Sequence, residues 1–387
     1  MTKLEELIKE LCPTGVNFKP IWELTAWDKK FNAVDKTKQK NIVKYNYYLA
    51  ADLKALESDT GNVKILTTSI TDLWAEEATV ADTLSEGEIV CIPWGGNPVV
   101  QYYKGKFITG DNRIATSIDT SILDNKFLYY CLLNRLNDIT SFYRGSGIKH
   151  PDMSKVLDLV IPVPPLEVQR EIIRILDNFT ELTAELTAEL TARKKQYEYY
   201  RNNLLTFDGI PSEYLRDLVK VERGTRVVRE ELDEEVGVPV YQNSLTPLGY
   251  HIESNRKANS PFVIGAGGAG QIGYSYENFW AADDCYTFSE NERLNGRYLY
   301  FVLQNNQAKI SSQVRKASIP RLPREALEKL KIPVPSLDVQ ERLVNVLDNF
   351  EVICSDLNIG LPAEIEARQK QYEYYRDKLL TFKELSV

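Results

Sequence analysis

One stretch of this chain occurs twice, and no other feature limits its folding as much. Ile161–Phe179 reads IPVPPLEVQREIIRILDNF and Ile332–Phe350 reads IPVPSLDVQERLVNVLDNF, with eleven of nineteen positions identical. Each copy leads into a second shared tag, QYEYYRNNLLTF from Gln196 to Phe207 and QYEYYRDKLLTF from Gln371 to Phe382. Repeats of this kind mean two versions of one structural unit, so any fold must be built from both.

The repeat extends upstream of the tags. Gly15 opens GVNFKPIWEL and Gly209 opens GIPSEYLRDL, with Ile21 and Leu24 matching Leu215 and Leu218. Lys106–Asp111 has the shape of Asn278–Asp283, Phe127–Leu132 matches Tyr298–Leu303, and Arg144–Ile148 matches Arg315–Ile319, all at a spacing of 171 or 172 residues. Phe127–Leu132 and its partner read as helix. Val63–Leu66, Gly87–Ile92 and Lys106–Thr109 are β-branched or aromatic runs broken by turn residues, which predicts strands. Leu4, Leu7, Ile8 and Leu11 predict a short helix over the first 14 residues. Each half is therefore expected to be α+β.

Between Pro165 and Gly209 there is neither glycine nor proline, so Leu166–Phe207 can be one helix of about 42 residues, roughly 63 Å long. Its apolar stripe runs Ile172, Leu176, Phe179, Leu182, Leu186, Leu190, Tyr197, Tyr200 and Leu204, the spacing of a coiled-coil seam. Thr183–Leu190 reads TAELTAEL, a tetrad repeat that locally unwinds a heptad supercoil. The second copy is helical from Leu337 to about Leu357, breaks at Gly360–Pro362 and resumes to Phe382, with Pro362 tolerable in a first turn. A long helix cannot bury its stripe alone. Two in one chain can pair antiparallel, which places the globular parts at opposite ends of a coiled coil with a pseudo-twofold internal repeat. The expected division is 1–160 and 208–331 as globular domains, and 161–207 and 332–387 as helical segments.

Composition narrows the class. With 387 residues, 43% hydrophobic and 26% charged, the chain is long enough for two or three globular domains. No run of about 18 apolar residues occurs, so no membrane partner is expected. The start, MTKLEELIKELCPTG, lacks the apolar core of a secretory leader. Five scattered cysteines, never spaced as CxxC, read as reduced thiols of a cytoplasmic protein. A net charge of −8 argues by itself against nucleic acid, but residues 292–331 carry nine Lys/Arg against three Asp/Glu, and residues 101–155 eight against five.

Catalytic motifs are few. Gly265–Gly270, GAGGAG, satisfies GxGxxG, but QIGYSYENFW follows where a dinucleotide site needs a helix. It reads as a tight loop between strands, matched in the first half by Trp94-Gly-Gly-Asn97. Backbone approach to a phosphate and plain turn geometry both remain open for these loops. The chain has no phosphate-binding GxxxxGK[ST] loop and no DPPY- or NPPY-like tetrapeptide of an amino-methyltransferase. His150 and His251 are the only histidines and lack neighbours at ligand spacing. No cofactor, metal or catalytic residue is expected.

The order of variable domain, IPVPxLxxQ…LDxF helix with TAEL tetrads, QYEYYRxxLL, then a second variable domain and the same helix, resembles the specificity subunit of type I restriction–modification systems over essentially the whole chain. That resemblance implies two target-recognition domains, each reading one half of a bipartite sequence in double-stranded DNA. It implies helices that act as a ruler and dock two modification (methyltransferase) subunits, with restriction subunits joining, and it implies no catalysis by this chain. Because the two heads differ in sequence, the target should be asymmetric. Gain or loss of one tetrad, roughly 6 Å of helix, is expected to change the spacer by about one base pair. Candidate DNA contacts are Arg144, Ser146, Lys149 and His150 in one loop and Arg315, Lys316, Ser318 and Arg321 in its counterpart. Second choices are Trp27, Lys29, Lys30, Arg223, Thr225 and Arg226. Each is either a DNA contact or a solvated surface residue. The alternatives are a coiled-coil structural adaptor without sequence-specific DNA binding, and an oxidoreductase using GAGGAG.

Overall fold

The computed structural model describes residues 2–207, 209–355 and 360–385. Its contacts divide the chain into two compact units, Met1–Ala184 with Glu366–Val387 (unit 1) and Glu185–Ile365 (unit 2). These bodies cut across the four consecutive segments expected from the sequence. Each unit takes one globular segment and a piece of each helical segment, because a lone helical stripe finds its cover wherever a second stripe lies against it.

Unit 1 opens with α1 (Lys3–Leu11), whose first turn is closed reciprocally. The Thr2 hydroxyl accepts from Glu5 N at 3.3 Å and the Glu5 carboxylate from Thr2 N at 2.8 Å. Then follow β1 (Asn17–Pro20), α2 (Ile21–Leu24), β2 (Thr25–Trp27), β3 (Val63–Leu66), β4 (Leu73–Ala75), β5 (Ser85–Pro93), β6 (Gln101–Thr109) and β7 (Asn112–Ser117). Strands β2 to β7 form one sheet in the order β2-β7-β5-β6-β3-β4, antiparallel except for the parallel pair β3–β6. β5 lies inside and is buried on both faces. Val90 and Ile92 join the core around Trp27 and Phe127, while Ile89 and Cys91 join Phe107 and Ile114 on the other side. This two-sided burial explains its unbroken apolar run.

Helix α3 (Asn125–Asn134) is capped by the Asp124 carboxylate, which accepts from Lys126 N at 2.8 Å. A two-stranded hairpin, β8 (Tyr143–Arg144) and β9 (His150–Pro151), follows. β10 (Val160–Val163), the start of the IPVP tag, pairs antiparallel with β1, Asn17 facing Val163. The long helix α4 (Leu166–Leu204) leaves from it. It ends three residues before the expected Phe207. Leu182, Leu186 and Leu190 of the tetrads are half-buried along it.

Unit 2 repeats this plan with a different sheet. β11 (Ser212–Tyr214) and α5 (Leu215–Leu218) repeat β1 and α2, and lead to β12 (Val221–Arg223), β13 (Val238–Tyr241), β14 (Tyr250–His251), β15 (Ser260–Ile264), β16 (Ile272–Ser275), β17 (Trp280–Ala281) and β18 (Cys285–Phe288). These make a four-stranded sheet, β12-β18-β15-β16, and a three-stranded one, β14-β13-β17. α6 (Gly296–Asn305), capped by Asn295, repeats α3; β19 (Lys331–Pro333) pairs with β11 as β10 pairs with β1. Then come α7 (Leu337–Ser355) and α8 (Leu361–Leu379), the latter with Pro362 in its first turn. The expected reach of α7 to Leu357 lies outside the described residues.

The duplicated tags make the same joints in each unit. Gln169 is fully buried; its amide donates to Ile122 O and Pro164 O, both at 2.7 Å, and its oxygen accepts from Asp124 N at 2.9 Å. Gln340 does the same with Arg293 O, Pro335 O and Asn295 N, each at 2.8 Å. Further along, Phe179 stacks on Tyr375 in unit 1 at 5.4 Å, and Phe350 on Tyr200 in unit 2 at 5.6 Å. Asp177 accepts from Lys126 and Tyr130, while Asp348 and Glu351 hold Arg297. Each unit is thus closed by the QYEYYR tag of the other copy.

Candidate nucleic-acid interface

In unit 1 the four first-choice residues lie on one projecting element, the β8–β9 hairpin. Arg144 faces His150 across it, and Arg144, Ser146, Lys149 and His150 are all exposed. The hairpin is held against the loop after β5. Gly96 N donates to Lys149 O at 3.2 Å, His150 Nδ1 lies 2.7 Å from Trp94 O, and the His150 and Trp94 rings are 5.1 Å apart. Trp94 is the hub of this face, with the Arg113 guanidinium 4.3 Å and the Lys29 ammonium 5.7 Å from its ring. Exposed Lys29 thereby joins the first-choice hairpin.

A charge network, buried at Asp28 and Arg113 and exposed at Asp111, sits beneath Trp94. Arg113, 1% exposed, pairs with Asp111 at 2.8 Å and Asp28 at 3.6 Å. Asp28 also accepts from Tyr47 OH at 2.7 Å and Ile114 N at 2.9 Å. Burial pushes the Asp28 carboxyl above its usual range, against the opposing pull of these hydrogen bonds and of Arg113. Trp27 corrects the sequence reading. It is 2% exposed, its indole donates to Thr25 Oγ1 at 2.9 Å and its ring meets Phe31 edge-on, so it belongs to the core and offers nothing to DNA. Lys30 is exposed beside it.

Unit 2 carries the equivalent hairpin, with Arg315 bridged to Arg321. Arg315, Lys316, Ser318 and Arg321 are exposed on it. It too rests on a glycine loop: Ala266 bridges Arg321, Gly267 N donates to Pro320 O at 3.1 Å and Leu322 N to Gly265 O at 2.8 Å. GAGGAG is therefore the turn between antiparallel β15 and β16, with Gly267 and Gly270 at φ +77° and +85°, values that favour glycine. It runs into a strand, so no helix N-terminus faces it for a pyrophosphate.

Beside this hairpin is a cleft of about 310 Å³ lined by Arg223, Asp283, Asp284, Tyr286, Arg315 and Arg321. It unites first- and second-choice residues. Arg223 Nε donates to the Asp283 carbonyl and its Nη2 lies 3.5 Å from Asp284. Thr225 and Arg226 are exposed but do not line this cleft, and Thr225 is tied to the sheet through its N–H to Ala281 O at 2.9 Å. A second cleft, about 600 Å³, shares Arg315 and adds Lys309 and Lys329.

The local basic excess also resolves. Of the nine cations in 292–331, Arg293, Arg297 and Arg324 are taken up by ion pairs. Among the described residues Arg315, Lys316 and Arg321 have none, nor do Arg144 and Lys149. Trp94 and Arg113 were not among the candidate DNA contacts, and the Asp283–Asp284 pair, which recurs with Asp111, reads in the sequence as a turn or cap more than as a site. Trp94 could have been found as the one large side chain in a glycine loop matched by GAGGAG. Arg113 gives no such signal, because its burial depends on an aspartate far off in the sequence. No group of three or more His, Cys, Asp or Glu among the described residues could hold a metal, and no described helix is long and apolar enough to cross a membrane.

Two domains that repeat one plan, each with a basic hairpin on a glycine loop, define a class, and the comparisons agree. Residues 32–193 and 213–367 match the type I restriction modification DNA specificity domain, and the chain belongs to that family, whose specificity subunits recognise DNA sequence and are not catalytic. It is 31% identical to a type I restriction enzyme specificity subunit of Haemophilus influenzae, over 77% of this chain and 83% of that one. It is 32% identical to the EcoR124I/EcoR124II specificity subunit of Escherichia coli, over 69% and 74%. The fold is that of the type I S subunit crystal structure from M. genitalium, at a TM-score of 0.66 and 18% identity, covering 95% of this chain and 96% of that one. A structure from work on complex assembly and conformational transition of the type I R-M system aligns at a TM-score of 0.57 and 16% identity, covering 95% and 98%.

Proposed function

We propose that this chain reads an asymmetric bipartite DNA target, one half-site per unit, and that its helical segments set the spacer and dock two modification subunits, through which restriction subunits join, in the cytoplasm. The observation that carries this reading is the pair of equivalent hairpins. Arg144–His150 and Arg315–Arg321 project at the same place in each unit, and neither Arg144, Lys149, Arg315 nor Arg321 is bound in an ion pair among the described residues. Unpaired Arg and Lys on a projecting element meet phosphates and base edges at the least desolvation cost. The hairpins share a scaffold but differ in their neighbours, Trp94 in one unit and the Arg223 cleft in the other, which supports unlike half-sites.

The test is specific DNA binding by the chain reconstituted with its methyltransferase subunits. Lys149→Glu or Arg321→Glu should each weaken specific binding about tenfold or more, increasingly so at low salt. A structural adaptor would show no sequence-specific binding in any of these proteins.

A further inference from the structure

Resting on that DNA-recognition reading, we propose that Arg223 is the base-reading residue of unit 2, set to pair with a guanine edge, and that Arg315, Lys316 and Arg321 hold the flanking phosphates. These residues are all cationic and all lie around one hairpin, yet their surroundings differ in a way that sorts them.

Arg223 is fixed before any ligand arrives. Its Nε is committed to the Asp283 carbonyl and one Nη2 hydrogen faces Asp284. The guanidinium has five donors in a rigid fork, so this grip leaves the end-on pair of Nη1 and Nη2 hydrogens unspent. The side chain is 55% exposed and lines the cleft. A fork held in this way matches the N7 and O6 acceptors of guanine in the major groove.

The two carboxylates decide against a phosphate at this point. Asp284 lies against Arg223, and one Asp283 carboxylate oxygen is buried with no hydrogen-bond partner. Full negative charges there repel a phosphate, whereas a base edge carries only partial charge. Arg315 and Arg321 line the same cleft but, like Lys316, are paired with no carboxylate among the described residues. They project on the hairpin, and Arg315 continues into the second cleft with Lys309 and Lys329, where Glu325 is the one acid on the lining. This is a track for a polyanion.

Unit 1 lacks the device. Lys29 stands where Arg223 does, and Asp111, which stands where Asp284 does, pairs with Arg113 at 2.8 Å instead. The guanine read by this mechanism should therefore fall in only one half of the target.

The test uses the chain assembled with its methyltransferase subunits, with sequencing of the methylated motif from a host genome and binding titrations across salt. Arg223→Ala should relax the guanine requirement at one position of one half-site by about 10- to 100-fold. The other half-site and the salt dependence should be unchanged. Arg223→Lys keeps the charge but loses the fork, and should relax the same position, which also serves if the alanine variant fails to assemble. Arg315→Ala and Arg321→Ala should leave the motif intact, weaken binding to all sequences and each reduce the log–log salt slope by about one. The proposal is overturned if Arg223→Lys assembles and keeps every guanine, if Arg223→Ala weakens all sequences with a reduced salt slope, or if neither half of the wild-type motif contains a guanine whose loss follows Arg223. A wild-type complex with no sequence preference would instead overturn the DNA-recognition reading itself.

Discussion

Gln169 in unit 1 and Gln340 in unit 2 make the same three hydrogen bonds, whereas the two recognition faces share only a hairpin and the glycine loop beneath it. Unit 1 sets Trp94 over a network of buried Asp28 and Arg113 with exposed Asp111; unit 2 opens a cleft in which Arg223 leans on Asp283 and Asp284. The joints are made of short-range contacts that tolerate no change of length. The faces are carried on sheets of different strand number, so they can differ without disturbing the joints. Identity between the copies is concentrated where the helices are attached, and divergence where a ligand is met.

The difference should be sharpest at Arg113. In unit 2 its strand-register counterpart is Tyr286, and the residue before that, Cys285, is a buried thiol. Arg113→Met should destabilise unit 1 by about 3–5 kcal/mol, because it strands the Asp28 carboxylate. Cys285→Ala should cost unit 2 only about 1 kcal/mol. Asp28 titrates above its usual range because of burial, and Arg113 is among the groups that pull it back. The Arg113→Met deficit should thus be full near neutral pH and shrink as acid protonates Asp28. Equal costs for Arg113→Met and Cys285→Ala, in urea unfolding followed by tryptophan fluorescence, would erase the contrast. Four of the five tryptophans, Trp22, Trp27, Trp74 and Trp94, report on unit 1, and Trp280 on unit 2.

The likeness is probed by the glutamines. Gln169→Ala and Gln340→Ala each leave one amide and two carbonyls without partners in a buried joint, and each should cost about 2–3 kcal/mol. A gap of more than about 1 kcal/mol between them would mean that the joints are not one device. The smallest expected effect concerns Glu171, whose counterpart is the exposed Arg342. A hydrogen bond from Arg174 is the main cause that draws its carboxyl down to about 2, with burial opposing and Lys3 assisting. A depressed carboxylate stabilises above its unfolded pKa, and that contribution is lost as pH falls toward 2. Glu171→Gln should therefore be less stable than the parent by about 1 kcal/mol at pH 7, since Lys3 and Arg174 are largely solvated, and equal to it near pH 2.

The tags, the long helix, the strands at Val63–Leu66 and Lys106–Thr109 and the equivalence of the two basic loops were all legible in the sequence, because each rests on local periodicity or on the repeat itself, whereas the hairpin form of those loops was not. Trp27 was misread because β2 is buried on both faces: Thr25, Ala26, Trp27 and Asp28 are all inside, so no alternation betrays the strand, and the lysines after it look like surface. Arg113 reads as a solvent-facing strand residue until Asp28 is seen beneath it. The closure of each unit by the other copy's tag follows from the antiparallel pairing expected of two similar stripes, although nothing local in either stripe fixes which residues meet, such as Phe179 with Tyr375.

That closure has a consequence for synthesis. Unit 2 is contiguous in the chain, Glu185–Ile365, and has all its parts once that stretch has emerged. Unit 1 is begun first and finished last: Val16 N donates to Lys383 O at 2.9 Å, Leu385 N to Val16 O at 2.9 Å, and Tyr375 supplies the ring for Phe179. Unit 1 must wait for the stretch that begins at Glu366 before it can close, a closure of high contact order. A premature stop shortly after Ile365 would spare unit 2, the domain nearest to it, and injure unit 1, whose other parts end far upstream at Ala184.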